Sequence, residues 1–166
     1  MAGSHTPTTL AQKFEVLHRL GLPVGHAVVT GSLCLEVAGV EGIIADDIDI
    51  LCDQATWSRY SKYSKVLWHT FPNGTESFSI FGAEFFTDLP GMLSRHAPGI
   101  TEALASTKVV DGIPFMSEAE VWAWKARVGR PKDRTHLSVV QEWLSENDSP
   151  LGLRDFRDVT RVLAPR

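Results

Sequence analysis

Two aspartates separated by one isoleucine, Asp47 and Asp49, are the residues of this sequence best suited to do chemistry. Residues two apart on a strand point to the same side, so a strand here projects both carboxylates together. Neighbouring like charges repel unless a cation neutralises them. Mg²⁺ prefers oxygen ligands and completes its shell with water and substrate phosphates, so we expect Asp47 and Asp49 to bind Mg²⁺ or Mn²⁺. The alternative is a solvated, acidic strand end.

A glycine and a serine, Gly31 and Ser32, follow a short β-rich run and precede a short apolar helix candidate. Glycine lets the backbone approach a phosphate closely, and free N–H groups at the start of a helix attract anions. This turn is therefore a candidate for binding the phosphates of a nucleotide. The alternative is an ordinary connection, because Gly-Ser occurs in many turns that bind nothing.

A glutamate, Glu84, lies in an otherwise apolar segment, where a charged side chain requires a partner. If this segment pairs with the strand of Asp47 and Asp49, Glu84 lies level with them as a third carboxylate. Asp88 is the other candidate, but four strand residues would separate it from Glu84 by about 13 Å, so only one of them fits a compact site. We expect Glu84 in the site and Asp88 at a turn. An exposed edge-strand position is the alternative for Glu84.

Three basic residues, Lys125, Arg130 and Lys132, cluster around the end of a predicted helix. Contact with nucleotide phosphates is the functional interpretation, and solvated charges that complement the helix dipole are the alternative. Trp122 and Trp124 are close neighbours on the same helix and cannot share a face. We therefore expect at least one of them in the core, with the other available to line a pocket.

The order of predicted elements indicates an α+β fold, with a small mixed sheet flanked by helices, rather than repeated βαβ units. Caps, turn pairs and hydrophobic periodicity define these elements. Predicted helices cover 9–20, 32–38, 55–63 (facing solvent), 117–128, a segment from 133 or 135 to 144, and 153–159; predicted strands cover 26–30, 47–53, 66–71, 77–81, 83–87, 109–110 and 113–115. We assign 1–8 to a flexible N-terminus, 9–116 to the core, and 117–166 to a C-terminal helical part of the same domain.

The overall composition fits one globular domain of 166 residues with a net charge of −4, so no global basic footprint for nucleic acid is present. The two cysteines, Cys34 and Cys52, lie in apolar runs and are expected to be buried thiols in a reducing cytoplasm. No apolar run approaches the roughly 20 residues of a membrane helix, and the N-terminus lacks the apolar stretch of a signal peptide. We therefore expect a cytoplasmic protein with no membrane partner.

Taken together, these motifs resemble the nucleotidyltransferase superfamily, which has the DNA polymerase beta-like fold. Its pattern is an apolar residue, Gly-Ser, a spacer, Asp-apolar-Asp-apolar, and a third carboxylate on a later strand. Here the spacer has fourteen residues, at the long end of the usual range. Segment 83–91 resembles the family segment that carries the third carboxylate. Segments 112–115, 117–125 and 129–133 resemble the later part of uncharacterised bacterial nucleotidyltransferase-like proteins and, more distantly, AbiEii-type toxins. The resemblance covers about 9–145, with Glu84 where aspartate is more usual and His136 where many relatives are acidic.

The resemblance implies a nucleotidyltransferase that moves a nucleoside monophosphate from an NTP such as ATP to an unidentified acceptor, which is a small molecule, an RNA or a protein. Asp47, Asp49 and Glu84 would be the catalytic and metal-binding residues. The residues implied to bind the nucleotide are Gly31, Ser32, Lys125, Arg130 and Lys132. Two alternatives stay open: a non-catalytic nucleotide-binding or interaction module, and a toxin-type enzyme that is held by an antitoxin partner.

Overall fold

The computed structural model describes residues 6–72, 74–87, 100–105 and 107–147. Six helices and seven strands make up this part of the chain. In chain order they are α1 Leu10–Leu20, β1 Ala27–Thr30, α2 Ser32–Val37, β2 Ile48–Cys52, α3 Gln54–Tyr60, β3 Leu67–Thr70, β4 Glu76–Ile80, β5 Ala83–Phe86, α4 Ile100–Ala105, β6 Thr107–Val110, β7 Ile113–Met116, α5 Glu118–Val128 and α6 Pro131–Glu146.

The strands form one mixed sheet in the order β3-β4-β5-β2-β1-β7-β6. At its centre, β2 is antiparallel to β1 and parallel to β5, while β1 is parallel to β7. Helix α5 packs against α2 and α6. The predicted α+β class with a mixed sheet is confirmed. The sheet is larger than the small sheet predicted, since all seven strands belong to it and the β6–β7 hairpin joins it through β7.

Local sequence signals set the boundaries of several elements as predicted. Thr9 caps α1 and forms a capping box with Gln12, and Ser117 caps α5. The β6–β7 hairpin turns at Asp111 and Gly112, which both have positive φ, as a two-residue type I′ turn requires. These connections are therefore specified by a few residues each.

Helix α3 departs from the prediction, because its C-terminal end does not face solvent. The side chain of Tyr60 is fully buried, and its hydroxyl donates to the carbonyl of Leu20 at 2.8 Å. The Tyr60 ring also stacks on Phe85, with 5.1 Å between the ring centroids. Tyrosine can be buried because its ring packs against apolar groups while its hydroxyl forms a hydrogen bond. The pattern of polar and apolar residues alone does not reveal this burial.

Two other helices differ from the sequence prediction. Helix α6 begins at Pro131 rather than at 133 or 135. Proline is well tolerated at the first helical position, because the backbone N–H that it lacks would have no partner within the helix. Helix α4 was not predicted, because six residues are too few to display a helical period. The predicted segment 153–159 lies outside the described residues. Among the helices that the structure describes, none is long and apolar enough to cross a membrane.

Both cysteines are buried free thiols, as predicted. The thiol of Cys34 donates to the carbonyl of Val29 at 3.1 Å. Burial raises the pKa of Cys34, and it raises the pKa of Cys52 to about 12. Both side chains are therefore protonated packing groups rather than nucleophiles.

A fully buried lysine, Lys13, ties α1 to the segment that precedes the aspartate pair. Its Nζ donates to Glu36 Oε2 at 2.7 Å and to the carbonyl of Ala45 at 2.6 Å. The same oxygen of Glu36 accepts the backbone N–H of Ala45 at 2.9 Å. Since Ala45 is two residues before Asp47, this cluster fixes the approach to the first carboxylate of the candidate site.

We predict that Lys13→Met lowers the free energy of unfolding by about 3 kcal/mol, because it leaves the partly buried Glu36 carboxylate without its cation. Urea unfolding measures this change. Asp111→Asn is the control, since it breaks the exposed pair with His18 and keeps a residue suited to positive φ, so its effect should stay within about 0.5 kcal/mol. Equal stability of Lys13→Met and wild type would contradict the structural role of the cluster.

Candidate active site

A cleft lies where β1, β2 and β5 meet the α5–α6 junction, with an empty volume of about 660 Å³ that opens in part to solvent. The structure brings to it all eight residues that the sequence singled out, together with four others. The lining residues are Thr30, Gly31, Ser32, Asp47, Asp49, Phe71, Glu84, Phe86, Trp124, Lys125, Arg130 and Lys132.

The acidic side of the cleft follows from the pairing of three adjacent strands. Asp49 on β2 lies opposite Thr30 on β1 and opposite Glu84 on β5. Directly paired residues share a face of the sheet, so the side chains of Asp49 and Glu84 project together. Asp47 precedes β2 rather than belonging to it, yet it lines the same cleft. The expected register of Glu84 with the aspartates is present, and Asp88 lies outside the described residues.

Gly31 makes room for Asp49 in addition to shaping the turn. Its φ is +74°, a backbone conformation that L side chains rarely adopt. A Cβ at this position would lie 2.9 Å from Asp49 Oδ2, closer than real Cβ atoms come to other heavy atoms. The glycine therefore lets the β1–α2 turn pass directly over the carboxylate.

Among the described residues, the cations near Asp49 do not balance the burial and the negative charges around its carboxylate. Burial, followed by the charges of Asp47 and Glu84, raises the pKa of Asp49 to about 7. Arg130 and Lys132 act in the opposite direction and do not offset this effect. Charges on both sides of the cleft thus act on Asp49. Repulsion between the carboxylates remains on the acidic side, and a bound cation would relieve it.

Glu84 has a protein partner that the sequence did not suggest. The hydroxyl of Ser77, a fully buried residue on β4, donates to Glu84 Oε1. This hydrogen bond fixes the direction of the carboxylate on the acidic side of the cleft. Among the described residues, no three His, Cys, Asp or Glu side chains are gathered closely enough to hold a metal ion unaided.

The acidic side nevertheless fits a divalent cation, because its donors are carboxylate oxygens and their mutual repulsion is uncompensated. Asp47 and Asp49 would supply the first two ligands. Mg²⁺ commonly takes only one or two carboxylates and completes its shell with water and phosphate oxygens, so a preformed cage of three is not required. Glu84 opposite Asp49 would be the nearest further carboxylate.

Lys125 is not a solvated helix-surface lysine, which was the alternative interpretation of its position. It is only 1% exposed, and its Nζ donates to Asp133 Oδ1 at 2.9 Å and to Ser32 Oγ at 3.0 Å. The contact with Ser32 connects α5 to the Gly-Ser turn. Truncating Lys125 would leave the buried Asp133 without a full complement of donors, so stability and ligand binding would change together.

Asp133 is the principal residue of the basic side that sequence reasoning missed. It is fully buried and accepts hydrogen bonds from Arg130 Nε at 2.6 Å and from Lys125 Nζ. Burial opposes its ionisation, but the hydrogen bonds from Arg130 and Lys125 outweigh burial and hold the pKa of Asp133 below its ordinary value. An acidic residue in the first turn of a helix that starts with proline was the available signal.

Both tryptophans of α5 are buried, so the expectation of at least one in the core is confirmed. The indole N–H of Trp122 donates to the carbonyl of Leu137 at 3.0 Å, which joins α5 to α6. Trp124 lines the cleft, and the Arg130 guanidinium lies over its ring, 5.2 Å from the centroid. Two aromatic residues, Phe71 and Phe86, also line the cleft and were not predicted as site residues.

Comparisons of this chain with protein-family models, with curated proteins and with solved structures find no match. The geometry and charge of the cleft therefore carry the functional interpretation, together with the motif resemblance.

We predict that Asp49→Asn raises the melting temperature of the metal-free protein by about 5 °C at about pH 8. The pKa of Asp49 is raised in the folded state, so ionisation of Asp49 lowers the stability of the folded protein. This cost is absent below the ordinary pKa of 3.8 and grows as pH rises to about 7. The neutral asparagine avoids this cost. Thermal unfolding in EDTA across this pH range provides the measurement.

The difference in melting temperature between wild type and Asp49→Asn should vanish at about pH 3, below the ordinary pKa of 3.8, because Asp49 is then neutral in both the folded and the unfolded state. Mg²⁺ added at pH 8 should stabilise wild type but not Asp49→Asn. A variant that is less stable than wild type by the same amount at every pH would instead assign Asp49 a packing role.

Proposed function

We propose that this protein is a metal-dependent nucleotidyltransferase with a nucleotidyltransferase-type fold, which transfers a nucleoside monophosphate from an NTP to an acceptor. The observation that carries the proposal is a single cleft with an acidic side, Asp47, Asp49 and Glu84, facing a basic side. A nucleoside triphosphate that carries a divalent cation matches this charge distribution. The cation binds carboxylates, and the phosphates accept hydrogen bonds from basic side chains.

The basic side would bind the phosphates. Lys132 is exposed and Arg130 is partly exposed, so both can reach a ligand, and Asp133 holds Arg130 in place. Lys125 is buried and already paired, so its charge would act over a short distance while it positions Ser32. Helix α2 has only six residues, so attraction of the phosphates would depend on these side chains more than on a helix dipole.

The reaction would be an in-line displacement at the α-phosphorus. The acceptor oxygen forms a bond to phosphorus as the bond to the pyrophosphate leaving group breaks, and the proton of an acceptor hydroxyl passes to a carboxylate. Glu84, oriented by Ser77, is suited to accept this proton or to hold the acceptor oxygen. Bound Mg²⁺ or Mn²⁺ would stabilise charge on the attacking and leaving oxygens. Lys125, Arg130 and Lys132 would stabilise charge that develops on the phosphates.

A second candidate is a non-catalytic nucleotide-binding module. Two groups that catalysis would use already have partners within the protein, which favours this function. Glu84 accepts a hydrogen bond from Ser77, and Lys125 donates one to Asp133. Such a module would bind a nucleotide without producing a labelled adduct. A transfer assay with NTPs labelled on the α-phosphate separates the two functions, using RNA, aminoglycoside- or lincosamide-like molecules and proteins as acceptors with Mg²⁺ or Mn²⁺.

We predict that NTP binding requires a divalent cation and that Asp49→Asn weakens it at least about tenfold, because the cation links the nucleotide to the carboxylates. Asp49→Asn should also abolish transfer while the protein stays folded. Titration calorimetry with Mg²⁺ and with EDTA measures the affinity.

Asp46→Asn is the matched control for this experiment, since Asp46 is an exposed neighbouring aspartate that does not line the cleft. Its NTP affinity should equal that of wild type. Equal wild-type affinity in Mg²⁺ and in EDTA would refute the cation link, and full activity of Asp49→Asn would refute the catalytic assignment.

A further inference from the structure

A residue that lines the cleft, Trp124, carries a buried hydrogen-bond donor with no acceptor in the part of the chain that the structure describes. Trp124 is 6% exposed, and its indole Nε1 is buried without a hydrogen-bond partner. Buried polar groups in native proteins are almost always hydrogen-bonded, so an exception calls for a cause. The other such atom among the described residues is His136 Nδ1, whose ring lies within the electrostatic reach of Lys125 and Lys132.

The surroundings of Trp124 indicate what kind of group is missing. The indole N–H can only donate, and the Arg130 guanidinium that lies over its ring is a donor as well. The carboxylate of Asp133 already accepts hydrogen bonds from Arg130 and from Lys125. The missing partner is therefore an acceptor that the described residues do not supply.

Position and charge narrow this acceptor to an anionic oxygen. The Arg130 guanidinium lies 5.2 Å from the centroid of the Trp124 ring, so an acceptor close to the indole N–H also experiences the charge of Arg130. A phosphate oxygen accepts several hydrogen bonds at once and favours such a cationic setting. A ribose hydroxyl or a base carbonyl would gain less from the adjacent guanidinium.

We propose that Trp124 is a phosphate-binding residue of the cleft, whose indole N–H donates to a phosphate oxygen of the bound nucleotide beside Arg130. This inference rests on the proposed function and adds to it a donor that neither the motif nor the cluster of basic residues contained. The indole also presents its ring to the guanidinium, so one side chain both supports Arg130 and contacts the same phosphate group.

Two neighbouring tryptophans make a matched test, because one indole N–H is satisfied within the protein and the other is not. Trp122→Phe removes a donor that bonds Leu137, whereas Trp124→Phe removes the donor without a partner. Both changes delete the same atoms from buried rings. We expect Trp122→Phe to lower the melting temperature more than Trp124→Phe does, because only the former breaks a hydrogen bond that joins α5 to α6.

Nucleotide affinity should show the opposite order. Trp124→Phe is expected to weaken binding of Mg²⁺-ATP about tenfold, which corresponds to about 1.4 kcal/mol, while Trp122→Phe leaves it unchanged. Calorimetry on the full chain provides both dissociation constants. Unchanged affinity of Trp124→Phe, with wild type binding ATP normally, overturns this inference alone; absence of ATP binding by wild type overturns the proposed function together with it.

A measurement on the wild-type protein avoids any effect of substitution on folding. The indole ¹H–¹⁵N resonance of Trp124 should shift to lower field on addition of Mg²⁺-pyrophosphate or Mg²⁺-ATP, and should not respond to adenosine. A shift with adenosine but not with pyrophosphate would overturn the assignment to phosphate. A resonance that responds to none of the three, in protein that binds ATP, would show that the indole N–H gains no contact with the ligand and would overturn the proposal.

Discussion

The repulsion between carboxylates on adjacent strands is the constraint on which the rest of the cleft depends. The β1–β2–β5 pairing places Thr30, Asp49 and Glu84 in one row across the sheet, and this register leaves the sheet no freedom to separate the two acids. Burial intensifies the repulsion and raises the pKa of Asp49 to about 7. A glycine must lie above this row, because a Cβ at Gly31 would collide with Asp49. The Gly-Ser turn and the aspartate pair are therefore one structural unit.

The opposite side of the cleft is organised by a single buried acid. Asp133 accepts hydrogen bonds from Lys125 and Arg130 and so holds both in place. Lys125 also donates a hydrogen bond to Ser32 in the Gly-Ser turn. This chain of hydrogen bonds connects the start of α6 to the start of α2. The basic side therefore cannot shift without disturbing the turn that covers Asp49. The spacing between the two sides is set by the protein, and a ligand has to match it.

Sequence reasoning reached the parts of this site that depend on local pattern. Asp47, Asp49, Gly31 and Ser32 form a motif of fixed spacing. A charge inside an apolar run indicated a strand at Glu84, and the structure pairs this strand with β2. The sequence did not reveal the partners that come from distant segments. Lys13 contacts a carbonyl 32 residues away, and neither periodicity nor composition encodes such a contact. The same limit concealed Ser77 beside Glu84, the burial of Lys125, and the hydrogen bond from Tyr60 to α1.

Buried polar groups at the cleft differ from those elsewhere in the fold in whether the protein supplies their partners. Away from the cleft, buried polar side chains such as Lys13, Tyr60 and Trp122 have partners within the protein. Around the cleft, the charge of Asp49 is uncompensated and the N–H of Trp124 has no acceptor among the described residues. A protein under selection for stability alone would lose both features through single substitutions. One needs a cation and the other an anionic oxygen, and a metal-bound triphosphate supplies the two together, with the cation on the carboxylate side and the oxygens toward Arg130.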